Sequence, residues 1–596
     1  MTFANLSPVP FNRVRARGSF WSARMETARA DTIRGCLRRC EQTNRVANFR
    51  RAAGLEEGGF EGIYFNDSDV YKTLEGAAYA LHNAPDPELE RLADEIIDSI
   101  CAAQMDDGYL FTYYVLTDIS KRWTDMGMHE AYCLGHMIEG AIAYYQATGK
   151  DKWLKAAERA VAQMMDVFGP GKRRWVVGHQ ELELALMKLH RLTNIVEYKR
   201  FAAWLVEERG HGYLKAESFD RNNFRSDYCQ DDLPASELSK VTGHAVRAMY
   251  YYSAIADIAA ADGNQAYARA LIRLWNNIVP ANLYATGGIG QTASNEGFTR
   301  DWHLPNLTAY CETCAAIGMA MWNHRMNLLF GESVYADLVE QELYNGILSG
   351  ISLDGLRFFY DNPLASVGQY KRSEWFGCSC CPTNLARFLP SVGGYAYAVG
   401  GGSLYVNQYI ASDTDADVDS RAVHIEVDTE YPWNGDIKIK ITSDDNLPIQ
   451  LKLRIPGWCD RYAVAADGSY QDCAAQNGYV SLAAASGSTI TLSLETPPRF
   501  LRADDRVKEN AGRVAVAVGP VLYCAEECDQ DASIPTEYFH AEFSVDPRQR
   551  AEIVPAPAGL SGMNALRLGG ALLVPYYAWA NRSQGGMAVW LKERTE

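Results

Sequence analysis

A change of hydrophobic period near residue 400 constrains this 596-residue chain more than any other feature. Between about residue 25 and that point, apolar residues recur at helical spacing. The spacing predicts twelve helices, over 26–43, 68–82, 87–104, 129–148, 151–167, 180–193, 195–209, 237–263, 264–278, 308–330, 332–348 and 382–398. In 129–148, Tyr132, Leu134, Ile138, Ala141 and Tyr144 recur at helical spacing, and Thr148-Gly149 closes the segment. Several of the twelve are joined by short loops, which suggests six helical hairpins. Packed in a ring, these make an (α/α)6 toroid, whose centre is lined by helix ends and loops. The same periodicity fits an irregular bundle or a helical superhelix. After Gly400-Gly401-Gly402 the period becomes two, as in Val423-His424-Ile425-Glu426-Val427 and Ile437-Lys438-Ile439-Lys440-Ile441. Such runs are half-buried strands.

The expected organisation has four parts. Residues 1–25 form an extended lead-in packed on the body, because Pro8 and Pro10 disfavour helix there. Residues 26–400 form the helical barrel, 401–500 an antiparallel β-sandwich, and 501–596 a second one beginning after Pro497-Pro498-Arg499.

Charge and composition narrow the partners. The formal net charge is −17, and the chain has no Lys/Arg run of the kind that neutralises phosphates, which excludes nucleic acid. No stretch is long and apolar enough to span a membrane. The N-terminal residues have no signal-like apolar core, so the expected compartment is the cytoplasm. Fourteen cysteines are then expected to stay reduced. The 34 Tyr and 13 Trp suit sugar binding, since each offers an apolar face and a polar tip. The β modules could also supply a homodimer surface.

Thiol density marks the site. Cys378-Ser379-Cys380-Cys381-Pro382 puts three cysteines in four positions, and Cys311-Glu312-Thr313-Cys314 brackets a carboxylate. Residues two apart face opposite sides of a helix, so Glu312 and Cys314 can share an ion only from an extended segment or the irregular start of a helix. Pro382 likewise places Cys380 and Cys381 just ahead of a helix start, where the dipole favours thiolates. One carboxylate and three thiolates suit tetrahedral Zn²⁺. Cys311 and Cys378 are alternative ligands on pattern alone. Glu296 lies on the long Gly-rich loop that opens at Thr286. His136, His179 and His244 each follow a glycine, which permits close approach of backbone or ligand.

Taken together these stretches resemble glycoside hydrolase family 127, the retaining β-L-arabinofuranosidases. The resemblance runs through Phe65-Asn66-Asp67-Ser68-Asp69-Val70-Tyr71-Lys72, Gly135-His136, Gly178-His179-Gln180-Glu181, Gly243-His244, Glu296, the two cysteine motifs, Leu343-Tyr344-Asn345-Gly346, Phe358-Phe359-Tyr360-Asp361-Asn362-Pro363 and the terminal Pro575-Tyr576-Tyr577-Ala578-Trp579-Ala580-Asn581-Arg582. It implies an (α/α)6 barrel followed by β-sandwich domains. It implies Zn²⁺ held by Glu312, Cys314, Cys380 and Cys381, with Cys380 as nucleophile and Glu296 as general acid/base. His136, His179, His244, Tyr360, Gln42 and Glu340 fall where the family contacts the sugar. The implied reaction is exo-acting hydrolysis of β-linked L-arabinofuranose, with retention, through a Cys-bound thioglycosyl intermediate. Hydrolysis of another furanoside or a branched acidic sugar is the nearest alternative. A sugar lyase or epimerase, or a non-catalytic sugar-binding protein, stands further off.

Overall fold

A computed structural model describes residues 3–18, 20–214, 226–445, 447–530 and 534–594. By mutual contacts the chain divides into two units. One comprises Met25–Asn277 with Trp375–Ser391, and the other holds the remaining segments.

Twelve helices follow the predicted series among the described residues. They are α1 (Ile33–Gln42), α2 (Asp67–Asn83), α3 (Pro87–Ala103), α4 (Glu130–Thr148), α5 (Lys152–Val167), α6 (Leu182–Thr193), α7 (Val196–Glu208), α8 (Ala245–Asp262), α9 (Gln265–Ala281), α10 (Thr313–Phe330), α11 (Ser333–Gln341) and α12 (Cys380–Phe388). Their burial alternates. In α1 only one stripe is buried, Ile33, Cys36, Leu37 and Cys40. In α2 nearly every side chain is. In α4 every residue from Glu130 to Tyr144 is buried, and in α8 every residue from Ala245 to Ala259. A helix apolar on one stripe borders solvent, and one buried all round is interior. The alternation of outer and inner helix is that of an (α/α)6 toroid. Within the first unit, α12 packs on α2, α2 on α4, α4 on α6 and α6 on α8. A Cβ on Gly76 of α2 would come within 2.3 Å of the Ala386 carbonyl of α12, so this pair meets backbone to backbone.

Several elements differ from expectation, among them the helix expected from 308, which starts at Thr313, and the one expected to 348, which turns π-helical at Glu342. The first predicted helix is broken into Trp21–Thr27, a π-helical turn over Ala28–Thr32, and α1. The segment expected at 237–263 becomes helical only at Ala245, because Gly243 takes φ +67° and His244 caps the helix. The helix expected at 382–398 begins at Cys380 and tightens into a 3-10 helix over Leu389–Tyr395. Arg45–Ala52 adds a helix the periodicity missed.

Among the described residues, the second unit contains three sheets. Strand Asp436–Ser443 buries Ile437, Ile439 and Ile441 and exposes Asp436, Lys438 and Lys440. Strand Arg513–Val518 is buried on both faces from Val514 onward. Residues of the lead-in are themselves strands. Ser7 pairs with Val399 and Val14 with Thr414, closing the edges of two sheets. No helix of the described residues is long and apolar enough to cross a membrane.

Candidate active site

In the first unit, α12 starts at Cys380 with Ser379 as its N-cap. Cys380 and Cys381 therefore occupy the first turn, where unpaired N–H groups stabilise negative sulfur. Their sulfurs lie 3.8 Å apart. Arg45 holds the preceding loop. It donates to the Gly377 carbonyl at 2.9 Å and lies over the Trp375 ring. Its Nε donates to Asp69 of α2 at 2.9 Å, and both side chains of this pair are buried. Thr383 of α12 donates to the other Asp69 oxygen at 3.3 Å. Sequence reasoning missed this anchor, although Asp69 lies in a motif it quoted. Cys378 is half-buried; its hydrogen bond with Cys380 and then burial push its thiol up.

The three histidines come together in the same unit. The ring centroids of Tyr132 and His136 are 4.5 Å apart, those of Tyr132 and His179 also 4.5 Å, and those of His179 and His244 5.5 Å. Each glycine before them answers a protein contact. A Cβ on Gly135 would meet Glu181 Cγ at 2.6 Å, one on Gly178 the Met126 carbonyl at 2.1 Å, and one on Gly243 the Asp227 carbonyl at 2.2 Å. His179 Nδ1 donates to the Gln180 carbonyl at 2.9 Å, which leaves Nε2 as an acceptor. His244 does the reverse. Its Nδ1 accepts from the Val246 N–H at 3.1 Å, so Nε2 carries the proton. Burial, then the charges of Arg387 and Lys72, hold His136 neutral well below the usual imidazole range. Burial and Arg247 do the same to His179. Gln42 does not join this cluster. It is exposed at the end of α1, accepting from Arg39 at 3.3 Å.

In the second unit, α10 begins at Thr313 with Glu312 as N-cap, its ψ extended at 135°. That break lets Glu312 and Cys314 point one way, as their spacing required. The turn is tied to the segment after it: the Thr313 N–H donates to the Tyr360 carbonyl at 2.9 Å, and Asn362 donates to the Cys311 carbonyl at 3.0 Å. Cys311 has φ +38° and packs its sulfur against Gly288, apart from the ligand-type group described below. Burial raises its thiol well above the usual range. Glu296 sits at φ +51°, a region few non-glycine residues occupy and one that strained functional loops use. Its carboxylate accepts from Tyr310 at 3.4 Å, and the Tyr310 ring lies 6.2 Å from that of half-buried Tyr360. Glu340 has a different role from the one expected. Arg454 and Tyr431 bond its carboxylate, as does Trp458 at 2.9 Å, so it braces α11 against the β-rich segments.

Glu312 and Cys314 of the second unit, and Cys380 and Cys381 of the first, are all of metal-ligand type; three are buried and Cys380 is half-buried.

Comparison with known proteins gives a single answer along the chain. Residues 13–394 match the β-L-arabinofuranosidase GH127 catalytic domain, 403–496 the GH127 middle domain and 498–592 the glycoside hydrolase family 127 C-terminal domain. The chain is 36% identical to a non-reducing end β-L-arabinofuranosidase of Bifidobacterium longum, over 92% of each chain. A solved GH127 β-arabinofuranosidase superposes with a TM-score of 0.91 at 38% identity, covering 99% of this chain and 98% of that one. A GH127 β-L-arabinofuranosidase from Geobacillus stearothermophilus T6 superposes with a TM-score of 0.92 at 35% identity, covering 98% and 100%.

Proposed function

From the premise that the chain belongs to glycoside hydrolase family 127, we propose that it is an exo-acting, retaining hydrolase releasing β-linked L-arabinofuranose from a small carbohydrate. The proposed division is a catalytic part to about residue 400 and two β-rich parts meeting near 500, which the three matched spans support.

One observation carries the site assignment. Glu312 and Cys314 open one helix, and Cys380 and Cys381 open another with their sulfurs 3.8 Å apart, so each helix start presents two metal-ligand groups. One carboxylate and three sulfurs fit tetrahedral Zn²⁺, and helix N-termini beneath the sulfurs add to the fit. When bound there, Zn²⁺ supplies positive charge that keeps the coordinating sulfurs deprotonated at neutral pH.

The chain's own groups then divide the work as in other retaining glycosidases, with a thiolate in place of one carboxylate. Glu296, protonated, donates to the leaving oxygen while Cys380 Sγ attacks the anomeric carbon. The C–O bond breaks and a C–S bond forms. Glu296 next takes a proton from water, whose oxygen attacks the same carbon, and the Cys380 thiolate leaves. A carboxyl that must gain and lose one proton per turnover needs a setting that holds both forms. The hydroxyl of Tyr310 beside Glu296 can support each. His179 Nε2 accepts from a sugar hydroxyl and His244 Nε2–H donates to one, so the two tautomers read opposite ends of hydroxyl groups. His136 and Tyr360 complete the proposed sugar contacts; Gln42 and Glu340 are not among them. The proposed compartment is the cytoplasm, where reducing conditions keep Cys380 a thiol.

Hydrolysis of an aryl β-L-arabinofuranoside by reduced, zinc-loaded protein tests this reading, beside other aryl furanosides and the Cys380→Ala variant. Release from the arabinofuranoside that vanishes in the variant is expected. Near-normal release by Cys380→Ala would overturn the nucleophile, and release only from another furanoside would overturn the sugar.

A further inference from the structure

The inner helices of the first unit enclose a polar cluster that takes no direct part in the steps above. It comprises Glu75 of α2, Glu139 of α4, Glu181 ahead of α6, Lys188 of α6 and Arg387 of α12, with Glu139 and Glu181 beside His136. Arg387 donates to Glu75 at 3.0 Å and to Glu139 at 2.6 Å. Lys188 donates to the other oxygen of Glu139. Two cations thus face three carboxyl groups, and both cations bond Glu139. Glu181 is fully buried, and neither of its oxygens nor either ring nitrogen of His136 has an aligned hydrogen-bond partner. Its Oε1 lies 3.1 Å from His136 Nδ1, and Glu139 is its other polar neighbour.

His136, Glu139 and Glu181 have the composition of a metal site, and their ligand atoms lie within 4.8 Å of one another. A divalent cation there would face Lys188 and Arg387 across a shared carboxylate. One proton balances the cluster without that repulsion. Burial and the neighbouring Glu139 charge both favour a proton on Glu181.

We propose that Glu181 is a neutral positioning residue: its hydroxyl donates to Glu139 while its carbonyl oxygen accepts Nδ1–H of His136. This fixes the His136 tautomer. Nε2, which like Nδ1 is buried with no aligned protein partner, becomes an acceptor for a sugar hydroxyl once Nδ1–H turns to Glu181. The inference rests on the proposed sugar-binding role of His136. It also explains why two motifs far apart in sequence belong together: Gly135 must lack a side chain so that Glu181 can reach the histidine next to it.

Glutamine is the neutral isostere of this arrangement, because its carbonyl accepts from His136 and its NH₂ donates to Glu139. Glu181→Ala should raise KM about tenfold or more, with a smaller effect on kcat, through loss of the hydrogen bond that orients His136. Glu181→Gln should recover most of that loss, to within about threefold of wild type. The ¹⁵N signals of labelled histidine, with His136 assigned by its substitution, should show Nδ1 protonated and Nε2 unprotonated from about pH 5 to 8 in both wild type and Glu181→Gln. A Glu181→Gln variant as impaired as Glu181→Ala, or an Nε2 proton on His136, would overturn the proposal. The imidazole signals need no turnover, so they decide the tautomer even if the protein releases no arabinose.

Discussion

Replacing Asp69 by alanine should loosen the cysteine-bearing loop and destabilise the first unit together. Asp69 accepts from Arg45 Nε at 2.9 Å, and the two side chains are only 2% and 5% exposed. Lys72 Nζ lies 3.7 Å from the same carboxylate. Without Asp69, the buried Arg45 and Lys72 lose the carboxylate they share. Breaking a buried pair from one side costs about 3–5 kcal/mol. In a unit of a few hundred residues, 1 kcal/mol moves Tm by roughly 2 °C, so a fall of about 6–10 °C is expected by calorimetry. Arg45 also holds the Gly377 carbonyl, three residues before Cys380. Bound zinc per chain, measured by elemental analysis, should fall as well. The decisive comparison is Asp69→Ala with Arg45→Met in one chain. If stranded charge is the cost, the double variant should lose less stability than the two single losses summed. Strictly additive losses, or a Tm within about 1 °C of wild type for Asp69→Ala, would refute the reasoning.

Stripping metal with a chelator should lower Tm and raise the count of titratable thiols, both restored by added zinc; an unchanged Tm and thiol count would sink the proposed ligand set. Burial pushes Glu130 up to about 7, although it accepts from Tyr109 and Trp123. The folded state therefore holds this proton more tightly than the unfolded chain. Its contribution is present in full below the ordinary glutamate range and is lost as pH rises through about 7, by at most about 3 kcal/mol. Tm should fall between about pH 5 and 8, and Glu130→Gln should flatten that slope; an unchanged slope in the variant would contradict the assignment. Gly243→Ala forces a methyl to within 2.2 Å of the Asp227 carbonyl at φ +67°, so it should displace His244 and raise KM for the arabinofuranoside severalfold, against no change if His244 lies outside the sugar site.

Much of this was legible from local pattern. Inner and outer helices differ in period strength because one is buried all round and the other on a stripe, and both signals are local. The strands near residues 437–441 announced themselves by alternation. What escaped was set by distant partners. Helix Arg45–Ala52 lacks an apolar stripe, since buried Arg45 and Asn48 take the place of hydrophobic residues. The strands at 7–8 and 14–16 are too short to show a period, and their partners lie near residues 399 and 414. At the site, crowded thiols flagged Glu312, Cys314, Cys380 and Cys381, and the glycines flagged the histidines. Arg45 carried no signal among 57 basic residues. Gln42 and Glu340 came in by resemblance alone. The structure turns one to the surface and commits the other to Arg454.

The pairing of residues 7–16 with strands near 399–418 bears on how the chain leaves the ribosome. At 5–20 residues per second, roughly 20–80 s separate synthesis of the early strands from that of their partners. Throughout that interval residues 7–16 must wait without a sheet, and the later sheets, once made, have open edges until these strands dock. Open edges are templates for wrong pairing. A bulky tag fused at the N-terminus, or removal of the first 16 residues, should therefore show itself first as aggregation of newly made chains, before any change in the catalytic constants of the molecules that succeed in folding.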